Sequence, residues 1–214
     1  MARVSIGMPV YNGGGRIREA IGSILSPSFG DFRLIISDNA SDDTTSRICR
    51  EVCQLDRRVA CFRNEKNIGA EKNFECVSKL ADSPLFIWAA HDDLWYPNHL
   101  ATQVALLDAR LDAIMAFSTC RHIDLSGKFL FETSLPSGLD SPDRRRRFLQ
   151  YLLAPHHRIG KACLIYALMR RSALENCPYG PFDAFRSVHP DLGADVVFVL
   201  ALLATGPAIC SPEV

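Results

Sequence analysis

The sequence predicts an α/β fold with a mostly parallel central sheet and helices on both faces. Three observations carry this prediction. Apolar runs of strand length alternate with helical stripes from Val4 to Ser118. Three of those runs end abruptly in polar clusters, Pro9-Val-Tyr-Asn12, Asp38-Asn39 and Asp92-Asp93. Beyond residue 120 the alternation gives way to a hairpin signal and two longer helical stretches. Parallel strands need a crossover helix between them and are buried on both faces, so they read as unbroken apolar runs.

Val4-Ser-Ile-Gly-Met8 is the opening strand, and Ile17, Ala20, Ile21, Ile24 and Leu25 follow at helical spacing. Phe32-Arg-Leu-Ile-Ile-Ser37 is a second buried strand. Asp38-Asn-Ala-Ser-Asp-Asp43 is a loop of turn and cap residues before a helix marked by Ile48, Val52 and Leu55. Val59 to Phe62 is a short strand, and Phe74, Val77 and Leu80 mark a third helix. Pro84 to Ala90 is the strand that leads to the acidic pair, with only His91 between. Leu100, Val104 and Leu107 form a fourth helical stripe, and Ala113 to Ser118 another strand.

In the second half, Arg121 to Leu125 and Phe129 to Thr133 flank Ser126-Gly-Lys128 as a hairpin. Asp140 to Ala154 is helical with Ser141 as its cap, and Ala194 to Ala204 is an apolar helix ended by Gly206 and Pro207. No internal repeat, low-complexity tract or linker interrupts the chain. The expectation is one domain over 1–214, with halves at 1–110 and 111–214, that stops at Ser211-Pro-Glu-Val214 as a further strand begins, as a truncated chain would.

The 214 residues suit one sizeable core. Hydrophobic residues are 48% and charged residues 22%, with a formal net charge of zero, so no global field recruits nucleic acid or an anionic membrane. The cationic run Arg144 to Arg147 reads as a solvated helix face, with an anionic partner as the lesser alternative. The amino terminus lacks the apolar stretch of a signal peptide, and no segment reaches the ~18 apolar residues that span a bilayer. The eight cysteines include no CxxC pair. They read as reduced, mostly buried thiols of a cytoplasmic protein, with Cys49 and Cys53 packing on one helix face.

The acidic pair Asp92-Asp93 is poorly suited to stabilising a strand end, because adjacent carboxylates repel and partial burial adds to the cost. Mg²⁺ or Mn²⁺ sharing the site with a diphosphate offsets that cost. The structural alternative is a turn at Asp92 and a helix cap at Asp93. In an open parallel sheet, ligands bind beyond the carboxyl ends of the strands. There, Asp38 can accept from an imide N–H of a pyrimidine and Tyr11 can stack on the base. The alternative for Asp38 is an Asx turn, a role that Ser41 or Asp42 fills equally well. Gly13-Gly-Gly15 lacks the Lys-Ser/Thr of a phosphate loop and fails the GxGxxG spacing, and so reads as flexible turn residues.

Taken in order, Val4-Ser-Ile-Gly-Met-Pro-Val-Tyr-Asn12, Phe32 to Thr44, Asn67-Ile-Gly69 with Asn73, and His91-Asp-Asp93 resemble the family 2 glycosyltransferases of the GT-A fold. The resemblance is strong over residues 3 to 110. From 120 to 214 it rests on Arg170-Arg-Ser-Ala-Leu174 and Gly193-Ala-Asp195. It implies inverting sugar transfer from a nucleotide-diphosphate donor, either a UDP-sugar or a GDP- or dTDP-sugar, to a hydroxyl of a saccharide or lipid-linked acceptor. By this resemblance Pro9, Tyr11, Asp38, Asn67 and Asp92 bind the nucleotide sugar, Asp93 holds Mn²⁺ or Mg²⁺, and Asp195 is the general base. His91 stands where many members carry a further Asp; its expected role is a hydrogen bond to a group that holds the metal, and direct ligation of the metal is the alternative.

For Asp195 the structural alternative is capping of the apolar helix it opens, a job Asp191 can also do. His156-His157-Arg158 and Lys161 are candidates for the acceptor side. Polysaccharide biosynthesis, peripheral membrane association and a homodimer are compatible with this reading. Two rival classes stand beside it. One is a nucleotidyltransferase, although Pro9-Val-Tyr-Asn12 lacks that class's Gly-rich, cationic loop. The other is a catalytically inactive sugar-nucleotide-binding module, against which both Asp93 and Asp195 argue.

Overall fold

The computed structural model describes residues 1–26, 28–133, 136–154, 161–175, 177 and 193–211. They form two compact units, Met1–Leu100 and Ala101–Val214. The first contains β1 (Val4–Val10), α1 (Ile17–Leu25), β2 (Phe32–Asp38), α2 (Thr45–Leu55), β3 (Val59–Arg63), α3 (Ala70–Lys79) and β4 (Leu85–Trp88). Its strands run in the order β3-β2-β1-β4, and every pair is parallel. All seven residues of β1 are buried, as an interior parallel strand requires. Burying side chains such as Ile6, Met8, Ile36 and Trp88 completely contributes about 1.5–3 kcal/mol each. Trp88 lies edge-on to Phe86 at 4.7 Å and donates its indole N–H to the Phe74 carbonyl at 3.3 Å, so its polar atom is satisfied. Ile17, Ala20, Ile21 and Ile24 are the buried face of α1, at the spacing the sequence displays.

One reading of the cysteines is corrected. Cys53 and Cys61 are disulfide-bonded with a Cα–Cα separation of 6.6 Å, inside the range such a bridge spans. The bridge joins α2 to β3. Helical spacing compares Cys53 only with Cys49, and the strand that follows the helix supplies the true partner. Cys49 is a buried free thiol, and burial pushes its pKa up to about 12.

In the second unit, α4 (His99–Ala109) precedes β5 (Met115–Ser118), which pairs antiparallel with β8 (Leu168–Arg170) and parallel with β9 (Ala208–Ser211). A hairpin of β6 (Cys120–Ile123) and β7 (Phe129–Thr133) forms where the sequence signal places it. α5 (Arg144–Leu153), a 3₁₀ turn (Lys161–Tyr166), α6 (Arg171–Glu175) and α7 (Ala194–Thr205) complete the elements. Arg170 ties the unit together, donating to the carbonyls of Ala113 and Leu107 at 2.8 Å each.

Two expectations for α5 change. Its N-cap is Asp143, whose side chain accepts from the Arg145 N–H at 2.9 Å, while Ser141 Oγ accepts from the Asp143 N–H. The arginine run is not a uniform solvated face. Arg147 is buried, donating to the carbonyls of Leu203 at 2.8 Å, Ser141 at 2.8 Å and Pro142 at 3.0 Å. It thereby satisfies a carbonyl in the last turn of α7, where a helix leaves such groups unpaired. Arg144, Arg145 and Arg146 are exposed.

Candidate active site

Strand register gathers the polar clusters of the first unit. Val10 of β1, Asp38 of β2 and Arg63 of β3 are successive partners in one row across the sheet. That row is the carboxyl end of all three strands, because all run parallel. The ladder extends one step beyond it: the Asn39 N–H donates to the Val10 carbonyl at 2.8 Å, and the Asn64 N–H to the Asp38 carbonyl at 2.9 Å. On the other side of β1, Gly7 partners Trp88, and the Ala89 N–H donates to the Gly7 carbonyl. His91-Asp92-Asp93 then leave the end of β4.

Asp38 is 2% exposed. Its Oδ1 accepts from the Ser41 N–H at 2.9 Å, and its Oδ2 accepts short hydrogen bonds from Ser46 Oγ and Arg63 Nη1. Burial by itself would raise the carboxyl pKa. The Ser41, Ser46 and Arg63 hydrogen bonds outweigh it, and the carboxyl is held below its ordinary range. Arg63 also donates to the Ser41 carbonyl at 2.9 Å, which closes the loop after β2 onto β3.

The loops that follow β1 and β2 are bound to each other. The Asn12 N–H donates to Ser41 Oγ at 3.0 Å, and Asn12 Oδ1 accepts from the Asp42 N–H at 3.1 Å. Asn12 holds a left-handed φ of 52°, a conformation asparagine tolerates. The Gly14 N–H donates to Asp43 Oδ2 at 2.8 Å. The glycine run is therefore not simply flexible. A Cβ on Gly13 would sit 2.6 Å from the imidazole Cδ2 of His91 and 2.8 Å from Val10 Cγ2, so the absent side chain lets the β4 loop approach β1. His91 is half-buried through this packing.

An asparagine network stiffens the same end of the sheet. Asn39 Nδ2 donates to Asn67 Oδ1 at 2.9 Å, and Asn39 Oδ1 accepts from Asn64 Nδ2 and the Ile68 N–H at 3.0 Å each. Buried Asn73 accepts from Ser37 Oγ at 2.6 Å and donates to the Ser37 carbonyl at 2.9 Å. Asn67 Oδ1 accepts a second bond from the Gly69 N–H, so it shapes the turn before α3.

The first unit thus holds Pro9, Tyr11, Asp38, Asn67, Asp92 and Asp93 together on its strand ends and their loops. Pro9 is buried within β1, Tyr11 is 45% exposed, and Asp92 and Asp93 are exposed. Among the described residues no three His, Cys, Asp or Glu side chains converge as a ready-made metal cage. The donor set that is present, two exposed carboxylates beside polar loops, is the kind Mg²⁺ or Mn²⁺ uses when substrate phosphates supply further ligands.

Asp195 belongs to the second unit. It lies in the first turn of α7, half-buried, with its carboxylate folded toward its N-cap Gly193. Buried Tyr151 has its hydroxyl pKa raised, first by burial and then by the Asp195 charge, and it donates to the Lys161 carbonyl at 3.2 Å. Buried Lys161 donates its ammonium to the Leu152 carbonyl at 3.0 Å. It is thus engaged within its own unit. His156, His157, Arg158 and Asp191 lie outside the described residues.

Sequence reasoning missed Arg63, Ser46 and Asn64. Arg63 directly follows the apolar run of β3, and its signal is register: counted from parallel pairing, it falls opposite Asp38.

Known proteins give the constellation its context. An uncharacterized glycosyltransferase of Rickettsia prowazekii is 33% identical over 105 residues, 49% of this chain and 32% of that protein. The Escherichia coli enzyme named UDP-Glc:alpha-D-GlcNAc-diphosphoundecaprenol beta-1,3-glucosyltransferase WfgD is 30% identical over 104 residues, 49% of this chain and 40% of its own. The crystal structure of S. aureus TarS 1-349 in complex with UDP matches 99% of this chain and 58% of its own, with a TM-score of 0.71 at 17% identity. The mannosyltransferase PcManGT from Pyrobaculum calidifontis, in complex with GDP-Man and Mn²⁺, matches 99% and 55% with a TM-score of 0.66 at 16% identity. This chain therefore spans less than two thirds of the length of each of these four proteins, while sharing the GT-A fold of the structural neighbours. The family model for glycosyl transferase family 2 matches residues 5–177, and the chain belongs to that family.

Proposed function

We propose that this chain transfers a sugar from a nucleotide-diphosphate donor to an acceptor hydroxyl of a saccharide or lipid-linked saccharide, with inversion at the anomeric carbon. The observation that carries the proposal is the row of strand ends, in which Tyr11, Asp38 and Arg63 follow from three registered strands and Asp92-Asp93 from a fourth. That is where an open parallel sheet binds its ligand. The UDP bound to TarS and the GDP-Man with Mn²⁺ bound to PcManGT support a nucleotide-sugar donor.

In this reading exposed Tyr11 stacks on the base, and Asp38 accepts from a base N–H. Pro9 shapes the pocket floor, and Asn67 acts by holding the turn before α3. Asp92 meets the ribose or sugar. Asp93 would hold Mn²⁺ or Mg²⁺, an ion that would supply charge neutralisation for a departing phosphate. Asp195 takes the acceptor hydroxyl proton as the oxygen attacks the anomeric carbon. The bond from that carbon to the diphosphate oxygen breaks on the opposite face.

Slow donor hydrolysis tests the proposal without knowledge of the acceptor. Incubation with UDP- or GDP-sugars and Mn²⁺ should release free sugar and nucleoside diphosphate, and Asp93→Ala should abolish the release. A protein that binds donor but never turns it over is a binding module instead.

A further inference from the structure

Helix α5 carries an exposed face whose chemistry is divided along its length. Arg145 and Arg146, then Leu149, then Leu152 and Leu153 follow at three- and four-residue spacing, so they form one stripe about 12 Å long. Arg144, Arg145 and Arg146 are exposed, and Leu149, Leu152 and Leu153 are 55%, 49% and 76% exposed. The opposite face is buried through Arg147 and Tyr151. The stripe therefore points outward because the helix is anchored from behind.

Both halves of the stripe are costly in water. Cations at a helix amino terminus oppose the macrodipole, yet three stand in the first turn. The N-cap acid Asp143 is engaged with the Arg145 N–H, and none of the three arginines forms a salt bridge among the described residues. Exposed leucines occur singly on most proteins, but three adjacent ones form a patch. An anionic surface with an apolar layer beneath it offsets both costs at once. The arginines meet phosphates and the leucines enter the acyl boundary, as in an interfacial amphipathic helix.

We infer that the α5 stripe docks this protein on an anionic lipid bilayer. The chain is neutral overall, so recruitment depends on this local cluster rather than on a global field. The inference is independent of the donor-site reading, because its test measures lipid binding and not transfer.

The test is flotation of the full chain with phosphatidylcholine vesicles, with and without phosphatidylglycerol, at low and high salt. The expected result is binding to the anionic vesicles only, weakened by salt. Each arginine near the surface is worth roughly 5-fold in partitioning, so the double substitution R145Q/R146Q should lower it by about 25-fold. The substitution L149S/L152S/L153S should lower it by at least about 10-fold. Both variants alter exposed side chains and should keep the wild-type melting temperature. Equal binding to neutral vesicles, or no loss in either variant, overturns the inference. So does loss with the arginine variant alone, accompanied by wild-type capture of soluble poly-glutamate, which identifies an acidic macromolecule as the partner.

Discussion

Asparagine in place of Asp38 perturbs the most densely bonded point of the candidate site while preserving its shape. The carboxylate accepts from the Ser41 N–H, Ser46 Oγ and Arg63 Nη1. In Asp38→Asn the amide oxygen can keep Ser41, but the amide nitrogen then faces two donors. Ser46 can turn its hydroxyl to accept, whereas Arg63 cannot. Arg63 is 46% exposed, so water takes up much of its charge and the ion pair itself accounts for no more than about 1 kcal/mol. Losing the charge from hydrogen bonds to a buried acceptor adds about 1–2 kcal/mol. The expected total is about 2–3 kcal/mol, or roughly 4–12 °C in melting temperature for a chain of this length. Thermal melts of Asp38→Asn, Arg63→Met and the double variant measure the coupling directly. Acid provides a second signature. The folded carboxyl sits below its unfolded value of 3.8. Its contribution is therefore complete above pH 3.8 and is lost as pH falls through the folded pKa, so the gap between wild type and Asp38→Asn should narrow only below pH 3.8. A melting temperature within about 1 °C of wild type at neutral pH would refute the reasoning.

Other outcomes follow from single contacts. Gly13→Ala forces a Cβ into the His91 ring and Val10, so it should cost about 1–3 kcal/mol, whereas Gly15→Ala, which meets open space, should be near neutral in the same melts. Burial lowers the His99 pKa from 6.5 to about 4. The folded protein therefore resists protonation there, stability is complete above pH 6.5, and up to about 3 kcal/mol is lost as pH falls toward 4. His99→Gln should flatten that slope in denaturant titrations, and an unchanged slope would assign it to other groups. Asp195→Asn should lower transfer by about 10²–10⁴ with donor affinity retained. A fall in melting temperature with no separate rate effect would assign Asp195 to helix capping instead.

How much of this was legible in the sequence depends on the range of the contacts. β1, β2 and β4 were legible because strands buried on both faces leave unbroken apolar runs, and their polar ends marked the carboxyl ends of the strands. α7 was legible because its apolar run is bounded by Gly193 and Gly206. β8, three residues long, and α6, five residues long, are too short for periodicity to register. The pairing of Asp38 with Arg63 depends on sheet register, and the Cys53–Cys61 bridge on a strand packing against the preceding helix. Neither is encoded by local spacing. Arg147 sits in a cationic run that reads as surface. Only the tertiary fold supplies the Leu203, Ser141 and Pro142 carbonyls that bury it.

The central claim is a nucleotide-diphosphate site at the strand ends, with Asp93 sharing a divalent ion with the donor. Calorimetric titration of UDP into wild type and Asp93→Ala, each with and without Mn²⁺, tests it most directly. The predicted result is binding to wild type that Mn²⁺ strengthens at least about tenfold, a difference of about 1.4 kcal/mol, and no such gain in Asp93→Ala. Equal affinity in all four titrations, or no binding of UDP, GDP or dTDP in any, would contradict it.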